Sequence, residues 1–494
     1  MLAVSAFSQT DFYVEPNGLT TANCSQSTPC DLQTGLNLPN MTGKNLYLKG
    51  GIYNGNYIAN LTGATVRSAP NEWAKIDGNY QVTLTAPMTL TQNTMTVSGS
   101  FIMQPSHVVL IGGTEEVQIA QYNGNGTYLV NRGWGTASAT HSSGEVVRLR
   151  SNIFVALGND NTFRDFEVYD SNPVRAYNSP AFGISLRGGE GVIAFGDNLK
   201  FINLVLHDNL NGIFLSEAAE NTEVYGLIIF NNGFVGTDRT HGHGMYVQNV
   251  GPQFKNFKDL ILVNNYTLGM KAYGASAGHA DNLVFDGLIS FNNGSPGHYT
   301  GSPTGLDETW RWGNIEIGAD VNPSNTVTVK NASMYHLPNK TVQFGGLSFG
   351  REGTSGNTNG LVQDNYIAEP YGTLLSAFSW TNLQVTGNTL VINQPDAFTN
   401  LVALKDSPNT GLSWNNNTYH SPTAILNCFG GSRRAPFFIT NVTSTCGQFL
   451  DWTDWKLARG FDVNSTYSES LPTVNKIVVR PNQYEVGRGN IAVY

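Results

Sequence analysis

A short motif of alternating apolar and polar residues recurs along the middle of the chain. Each copy begins with Gly or Asn and continues as apolar-X-apolar-X, where X is mostly polar or aromatic. The first apolar residues of successive copies lie 25 to 45 residues apart, a spacing typical of stacked solenoid coils. The five copies occupy residues 183–187, 212–216, 244–248, 269–273 and 314–318.

This alternation assigns the two kinds of residue to opposite faces of a strand. Successive side chains point to opposite sides, so both apolar positions face the core and both X positions face outwards. Stacked coils then align the X positions into two outward rows whose mixture of aromatic and polar groups suits a carbohydrate. The first row contains Ser185, Phe214, Tyr246, Lys271 and Glu316, and the second contains Arg187, Ser216, Gln248, Tyr273 and Gly318.

Further apolar stretches supply a second strand to each coil. They occur at residues 161–168, 198–206, 222–230, 257–263 and 283–290, and the repeat weakens but continues after Asn325. Many short strands without helices between them predict an all-β chain folded as a parallel β-solenoid. Residues 79–150 are less regular, and the pattern there fits either irregular coils or an excursion from the stack.

The two ends of the chain differ from the repeats and divide it into four expected segments. Residues 1–9 are similar to the end of a signal peptide, and residues 10–45 predict an N-terminal cap with an entry strand and a short helix. Residues 46–450 form the expected β-helix and residues 451–494 a C-terminal cap. The cysteines form two close pairs, Cys24 with Cys30 and Cys428 with Cys446, which predict a disulfide near each end of a secreted chain. Four reduced thiols are the alternative.

Composition narrows the classes of partner. Among the 494 residues only 13% are charged, the formal net charge is −9, and no basic stripe is present, which argues against a nucleic-acid surface. No apolar run is long enough to span a bilayer. The 54 glycines and frequent Asn-Asn and Asn-Gly pairs supply residues that tolerate tight corners.

Several segments resemble the right-handed parallel β-helix superfamily, the pectate-lyase-like group of secreted polysaccharide-active proteins. They are FYVEPNG at 12–18, LYLKGGIYNG at 46–55, KIDG at 75–78 and the NNG corners, and a closer likeness to β-helix repeat proteins attaches to residues 240–249. The resemblance implies a right-handed parallel β-helix. It does not imply one activity, because the superfamily includes lyases, hydrolases, epimerases and phage adhesins.

A cluster of titratable residues precedes the strand that contains Tyr246. It comprises Asp238, Arg239, His241 and His243, and imidazole near neutral pH can accept or donate a proton. Tyr246, Lys271 and Tyr273 on adjacent coils complete the candidate acid/base set. The alternative is that His243 points inwards and bonds only to backbone.

The resemblance to β-helix lyases implies that a Lys or Arg takes the proton beside a uronate carboxylate, sometimes with calcium. Lys271 and Arg187 are the candidates, and each could instead be an exposed binding residue. Calcium is therefore possible, but the acidic residues are scattered and no site is assigned. His241 and His243 with Asp238 give only a weak transition-metal pattern.

Substrate recognition is expected from aromatic and basic residues along the same surface. An insertion contributes Trp310, Arg311 and Trp312, whose flat faces and charge suit a sugar. Phe214 and Gln248 extend the binding surface, and Arg187 with Arg311 would bind a carboxylate.

The leading expectation is a secreted lyase that cleaves an acidic polysaccharide by β-elimination. A glycoside hydrolase would use Glu316 with a second carboxylate, although Glu316 could equally form an ordinary ion pair with Lys271. The non-enzymatic alternative is a surface protein or adhesin that binds glycans without cleaving them.

Overall fold

The computed structural model describes most of the chain. Its described residues are 11–99, 101–175, 189–236, 240–274, 278–294, 313–318, 321–337, 345–351, 356–370, 372–394, 399–405, 411–422, 426–428, 431–433, 435–440 and 448–493, with backbone only at 426–428 and 431–433. The chain divides into two compact units, Met1–Leu210 and Asn211–Tyr494. Each is described below by itself, with strands β1 to β48 numbered along the chain.

The first unit contains three parallel sheets built from short strands. Sheet I consists of β1 (Phe12–Val14), β2 (Asn45–Leu48), β5 (Thr65–Ser68), β14 (Thr162–Arg164) and β17 (Lys200–Ile202). Sheet II consists of β3 (Gly51–Asn54), β6 (Ala74–Asp77), β15 (Glu167–Tyr169) and β18 (Val205–His207). Sheet III consists of β4 (Tyr57–Ala59), β13 (Phe154–Ala156) and β16 (Val192–Ala194).

An antiparallel sheet interrupts the stack of the first unit. Its six strands lie in the order β7-β12-β9-β10-β11-β8 and enclose their own apolar core, which includes Met95, Val109 and Val117. The strands are β7 (Gln81–Thr83), β8 (Thr94–Thr96), β9 (Val108–Ile111), β10 (Glu115–Gly124), β11 (Thr127–Asn131) and β12 (Val146–Leu149). The less regular residues 79–150 are therefore an excursion from the stack. Tight turns between neighbouring strands favour antiparallel pairing over parallel coils.

The second unit contains three further parallel sheets. Sheet IV consists of β20 (Glu223–Tyr225), β25 (Lys255–Lys258), β28 (Leu283–Asp286), β31 (Asn325–Lys330), β34 (Asn357–Gln363), β37 (Trp380–Thr386) and β40 (Ser413–Asn415). Sheet V consists of β21 (Ile228–Phe230), β26 (Ile261–Val263), β29 (Ile289–Phe291), β32 (Ser333–Tyr335), β35 (Tyr366–Glu369), β38 (Thr389–Ile392), β41 (Thr418–His420) and β46 (Thr466–Ser468).

Sheet VI carries the alternating motif recognised in the sequence. It consists of β19 (Ile213–Leu215), β24 (Met245–Val247), β27 (Leu268–Ala272), β30 (Gly313–Ile317), β33 (Leu347–Phe349), β36 (Thr373–Phe378), β39 (Asn400–Lys405) and β44 (Phe437–Ile439), followed by the antiparallel β45 (Phe449–Leu450). Three hairpins complete the strands: β22 (Phe234–Val235) with β23 (Thr240–His241), β42 (Leu426–Cys428) with β43 (Gly431–Arg433), and β47 (Ile477–Pro481) with β48 (Gly489–Val493).

This topology confirms the predicted right-handed parallel β-helix. Each complete coil of the stack gives one short strand to each of three sheets, and consecutive coils pair in parallel. The predicted inward positions are buried, as Ile213, Met245, Met270 and Ile315 show. Apolar side chains therefore fill the coils, and the residues between them face outwards.

Asparagine pairs explain how the coils turn. Asn231 and Asn264 adopt positive φ angles of 56° and 52°. Tight corners require this left-handed backbone conformation, which Asn tolerates better than most residues. The next residue of each pair points inwards, and Asn232 Nδ2 donates to Asn265 Oδ1 at 2.9 Å. Asn265 Nδ2 then donates to Asn293 Oδ1 at 2.8 Å, so buried amides form a ladder between successive coils.

The ends of the described chain carry the two helices. Helix α1 (Leu32–Leu36) lies where the sequence predicts a short helix, and the Asp31 side chain caps it by accepting from the Thr34 backbone N–H at 3.0 Å. A disulfide joins Cys24 and Cys30. Helix α2 (Trp452–Arg459) belongs to the C-terminal segment.

Two expectations for the ends lie outside the described part of the chain. They are the signal-peptide remnant at residues 1–9 and the side chains that would form the pair Cys428 and Cys446. No helix among the described residues is long and apolar enough to cross a membrane.

Candidate functional site

The first outward row predicted from the sequence exists on sheet VI. Phe214 pairs with Tyr246, Tyr246 with Lys271, and Lys271 with Glu316, on consecutive strands. All four side chains are half-buried, whereas their neighbours along each strand are buried. The row continues through Ser348, Ser376, Ala403 and Phe438. Ser185 lies outside the described residues.

Opposite charges meet at the middle of this row. Lys271 Nζ lies 3.6 Å from Glu316 Oε1, and the two side chains are only 16% and 17% exposed. Glu316 Oε1 is buried and has no hydrogen-bond donor among the described residues. The carboxylate thus depends on the neighbouring ammonium for compensation of its charge.

An aromatic ring lies against the ammonium of Lys271, and two further rings are close to that ring or to each other. Lys271 Nζ lies 4.5 Å from the centroid of the Tyr273 ring, and the Arg351 guanidinium lies 5.2 Å from the same ring. Tyr246 contacts the Phe214 ring edge-to-face at 5.2 Å and lies 6.2 Å from Tyr273. Two cations and three aromatic rings therefore share one surface.

His243 is oriented at the beginning of the Tyr246 strand. Its backbone N–H donates to Asn211 Oδ1 at 2.5 Å, and its ring centroid lies 5.9 Å from that of Tyr246. Its Nδ1 forms a short hydrogen bond with Thr267 Oγ1, which itself donates to the Gly242 carbonyl at 2.5 Å.

This chain of hydrogen bonds specifies a tautomer. The single hydroxyl proton of Thr267 goes to the carbonyl oxygen, which can only accept, so His243 Nδ1 must donate to the hydroxyl. A neutral His243 ring then carries its lone pair on Nε2, which is the form that a general base requires. The side chain is half-buried and its ring lies near that of Tyr246 in the outward row.

His241 occupies a different environment. It belongs to the β22–β23 hairpin, is buried, and stacks on the Phe234 ring with centroids 4.9 Å apart. Its strand leads towards His243 and Tyr246, so the residue is close to them in sequence while its ring packs against an apolar neighbour.

The second predicted row is less regular than the first. Strands β19 and β24 end before Ser216 and Gln248, so these residues lie where the chain turns; Ser216 is buried instead of outward, and Gln248 is half-buried. Lys255 is also buried, and its Nζ donates to the backbone carbonyls of Ser216 and Gln248, each at 2.5 Å. The buried ammonium cross-links the two corners. This role cannot be predicted from the sequence, where Lys255 is a single Lys in an apolar strand.

A depression adjoins Glu316 on the same sheet. Its empty volume is about 250 Å³, including the part open to solvent, and its polar lining comes from Glu316, Ser348, Thr373 and Ser376. Gly345 and Gly346 form part of its wall. The enclosed space holds no more than about one water molecule, and the serine hydroxyls beside the carboxylate are hydrogen-bonding groups at this surface.

Several expected site residues lie outside the described part of the chain. They are Arg187, Asp238, Arg239, Trp310, Arg311 and Trp312. Conversely, sequence reasoning missed Thr267, Arg351, Ser348 and Ser376. The two serines could have been found by extending the strand register beyond Glu316, whereas Thr267 and Arg351 carry no local signal. Among the described residues, no three or more His, Cys, Asp or Glu side chains group as a metal site.

Comparison with known proteins gives a likeness at the level of fold. No protein-family model matches the chain, and no curated protein matches it in sequence. Among solved structures it is similar to pectate lyase Pel9A, with 15% identity, coverage of 82% of this chain and 78% of that one, and a TM-score of 0.43. For the Azotobacter vinelandii mannuronan C-5 epimerase AlgE4 A-module the corresponding values are 11%, 87%, 90% and 0.39.

A third similar structure is the GH136 lacto-N-biosidase from Eubacterium ramulus, with 11% identity, coverage of 83% of this chain and 63% of that one, and a TM-score of 0.45. Identities and scores this low carry no argument about activity. The parallel β-helix fold that the resemblance implied is confirmed by the parallel sheets described above.

Proposed function

We propose that this protein is a secreted polysaccharide lyase whose groove follows the outward row of sheet VI. The observation that carries the proposal is the position of Lys271, with aromatic rings on one side and Glu316 with the hydroxyl-lined depression on the other. Sugars present apolar ring faces and many hydroxyls, which such a surface can bind together. The disulfide between Cys24 and Cys30 supports an oxidising, extracellular location.

Lyase chemistry requires a base, an acid and a cation beside an acidic sugar. The base removes the proton from the carbon next to the carboxylate, the electron pair forms the new C=C bond, and the C–O bond to the departing sugar breaks. The leaving oxygen takes a proton from the acid. Charge that develops on the carboxylate is stabilised by a nearby cation.

The contacts on sheet VI support the following roles. His243 Nε2 takes the proton, the Tyr246 hydroxyl gives a proton to the leaving oxygen, and Lys271 stabilises the substrate carboxylate, with Arg311 expected to bind it as well. The Tyr273 ring orients the cations of Lys271 and Arg351. His241 acts through its position, because its buried ring supports the segment that leads to His243.

The test is incubation of the protein with acidic and neutral polysaccharides, with and without chelator. Ultraviolet absorbance reports the unsaturated product of a lyase, and reducing ends are measured in parallel. We expect absorbance from an acidic glycan and a loss of about 100-fold or more in Lys271→Met and His243→Gln. The matched control is Lys330→Met, since Lys330 also pairs with an acidic residue, Asp286, at 3.7 Å on an outward strand position but lies on sheet IV.

A glycoside hydrolase is the second candidate, favoured by the Glu316 carboxylate beside the depression. It would require another carboxylate across the scissile bond, and Asp238 is a candidate from the sequence. New reducing ends without ultraviolet absorbance, lost in Glu316→Gln, would replace the lyase by this activity. Retention of glycans without any product would identify a binding protein.

A further inference from the structure

The first unit carries a second polar cluster, which the proposed function does not use. It lies on the outward face of sheet II, where register places Lys75 beside Glu167 and, two residues further along each strand, Tyr169 beside His207. Trp73 immediately precedes the strand that contains Lys75.

Glu167 organises this cluster through three donors. Trp73 Nε1–H donates to Glu167 Oε2 at 2.8 Å, His207 Nε2 lies 3.0 Å from Oε1, and Lys75 Nζ lies 3.3 Å from Oε2. Burial raises the pKa of the Glu167 carboxyl, but the hydrogen bonds and the Lys75 charge outweigh burial and lower it to about 2. The carboxylate therefore stays ionised and fixes the orientation of the indole and the ammonium together.

The residues behind Glu167 make the cluster rigid. The His207 ring stacks on Tyr169, with centroids 5.1 Å apart and planes at 17°, and His207 Nδ1 lies 2.6 Å from Asp208 Oδ2. Burial and the nearby acidic groups Asp77 and Glu167 raise the pKa of Tyr169 to about 12, so its phenol stays protonated. The polar groups in the inner part of the cluster thus form their hydrogen bonds with one another.

The outer part exposes apolar faces next to a cation. Trp73 is 38% exposed although its N–H is bonded to a mostly buried carboxylate, and the Lys75 side chain is 42% exposed. Ile52, at the strand position paired with Lys75, is 46% exposed. At Trp73 the hydrogen bond to Glu167 orients the indole while part of its surface is left to solvent.

We infer that Trp73 and Lys75 form a second glycan-binding subsite, where a pyranose ring stacks on the indole and a sugar oxygen accepts a hydrogen bond from the ammonium. A flat ring beside a hydrogen-bond donor, both fixed by one carboxylate, recognises a sugar with little loss of side-chain entropy. The subsite performs no chemistry and would retain the polymer on the protein between cleavage events. It shares with the proposed function the assumption that the ligand is a polysaccharide.

The experiment is affinity electrophoresis through gels that contain each polysaccharide of the same panel. We expect at least one glycan to retard the protein, and Trp73→Ala to raise the Kd by about threefold to tenfold. Trp73→Phe, which keeps an aromatic face, should weaken binding less. Trp134→Ala is the matched control. Trp134 is 55% exposed in the same unit, but among the described hydrogen bonds it is Trp73, and not Trp134, whose indole is bonded to Glu167. The control should bind as the wild type does.

Several results would overturn the inference. They are unchanged binding by Trp73→Ala, an equal loss in Trp134→Ala, or no retardation of the wild type by any glycan. Circular dichroism of each variant verifies folding, and the gels are repeated in the Lys271→Met background to remove the contribution of the sheet VI groove. Product formation from short oligosaccharides is measured separately. Product without Trp73-dependent binding rejects the subsite alone, and Trp73-dependent binding without product rejects the lyase alone.

Discussion

Lys271 Nζ lies 3.6 Å from Glu316 Oε1 in the middle of an outward row, with both side chains more than four-fifths buried. An ion pair on a solvated strand would contribute little to stability. The Lys271 ammonium also lies over the Tyr273 ring, and Glu316 Oε1 has no hydrogen-bond donor among the described residues. The ammonium therefore compensates a desolvated carboxylate.

The first prediction concerns the free energy of unfolding. Lys271→Met should destabilise the protein by about 1–3 kcal/mol, because it leaves the Glu316 carboxylate shielded without a counter-charge. Glu316→Gln alone should cost less, and adding it to Lys271→Met should recover part of the loss. Denaturant unfolding of the four proteins measures the coupling. Strictly additive effects of the two substitutions would show that the ion pair has no energetic role.

The second prediction separates the ring of Tyr273 from its hydroxyl. Cation–π contacts with Lys271 and Arg351 should be lost in Tyr273→Ala, lowering kcat/KM by about fivefold to thirtyfold. Tyr273→Phe keeps the aromatic face and should stay within about twofold of the wild type. Steady-state kinetics on the substrate found in the panel provide the measurement. An equal loss in Tyr273→Phe would instead assign proton transfer to the phenol.

The third prediction tests a second ladder of buried amides, formed by Asn365, Asn388 and Asn417. Asn388 Nδ2 donates to Asn417 Oδ1 at 3.0 Å and to the Val362 carbonyl at 3.0 Å, while its Oδ1 accepts from Asn365 Nδ2 at 2.9 Å. Asn388→Leu should cost about 2–4 kcal/mol, since several buried partners lose their hydrogen bonds at once. The control Asn256→Leu alters an exposed position on strand β25 whose φ is not positive. Equal thermal midpoints for the two variants would contradict the role given to the ladder.

The sequence predicted those features that depend on neighbouring residues. Alternation along each strand was sufficient to place Phe214, Tyr246, Lys271 and Glu316 in one row, because a side chain's face depends only on its position in the strand. The Asn-Asn corners were recognised for the same local reason.

Features that join distant residues were not predictable in this way. Glu167 contacts Trp73 because strand β15 pairs with strand β6. The antiparallel excursion separates these two strands in the sequence and thereby hides the repeat. The orientation of His243 depends on Thr267, one coil away, and a Gly-rich turn allows either face. Pairing between coils, rather than composition, determines these contacts.

The fourth prediction concerns acid stability of the antiparallel excursion. Burial raises the pKa of Glu115, but hydrogen bonds from Arg132, the Ala139 backbone N–H and His141 outweigh it and lower the pKa to about 2. A pKa lowered by folding gives stability that is present above the unfolded pKa of about 4.3 and is lost as pH falls towards 2.

Glu115→Gln should therefore destabilise the excursion by about 3 kcal/mol at neutral pH and by almost nothing near pH 2. Circular dichroism and intrinsic fluorescence, measured for wild type and variant under the same conditions, follow unfolding across this range. The control Glu72→Gln alters an exposed carboxylate outside the excursion and should show no comparable convergence. A difference between wild type and Glu115→Gln that is constant with pH would contradict the assignment.

The last prediction concerns a buried imidazole–carboxylate pair in the second unit. His336 Nδ1 lies 2.5 Å from Glu369 Oε2, and Nε2 donates to the Asn293 carbonyl at 2.6 Å, with both side chains fully buried. Burial alone would lower the pKa of His336, but the charge and hydrogen bond of Glu369 raise it above the ordinary value. Stability from a pKa raised by folding is fully present below the unfolded pKa of about 6.5 and is lost as pH rises through the folded value.

Glu369→Gln should remove this pH dependence. The amide can donate to Nδ1 of a neutral His336, so the pair no longer requires a proton from solvent. Thermal midpoints measured from pH 6 upwards should fall for the wild type and stay flatter for the variant, after subtraction of the change seen in the control Glu469→Gln near the surface. Parallel curves for wild type and Glu369→Gln would show that His336 does not release its proton in this range, and the buried pair would then contribute no pH-dependent stability.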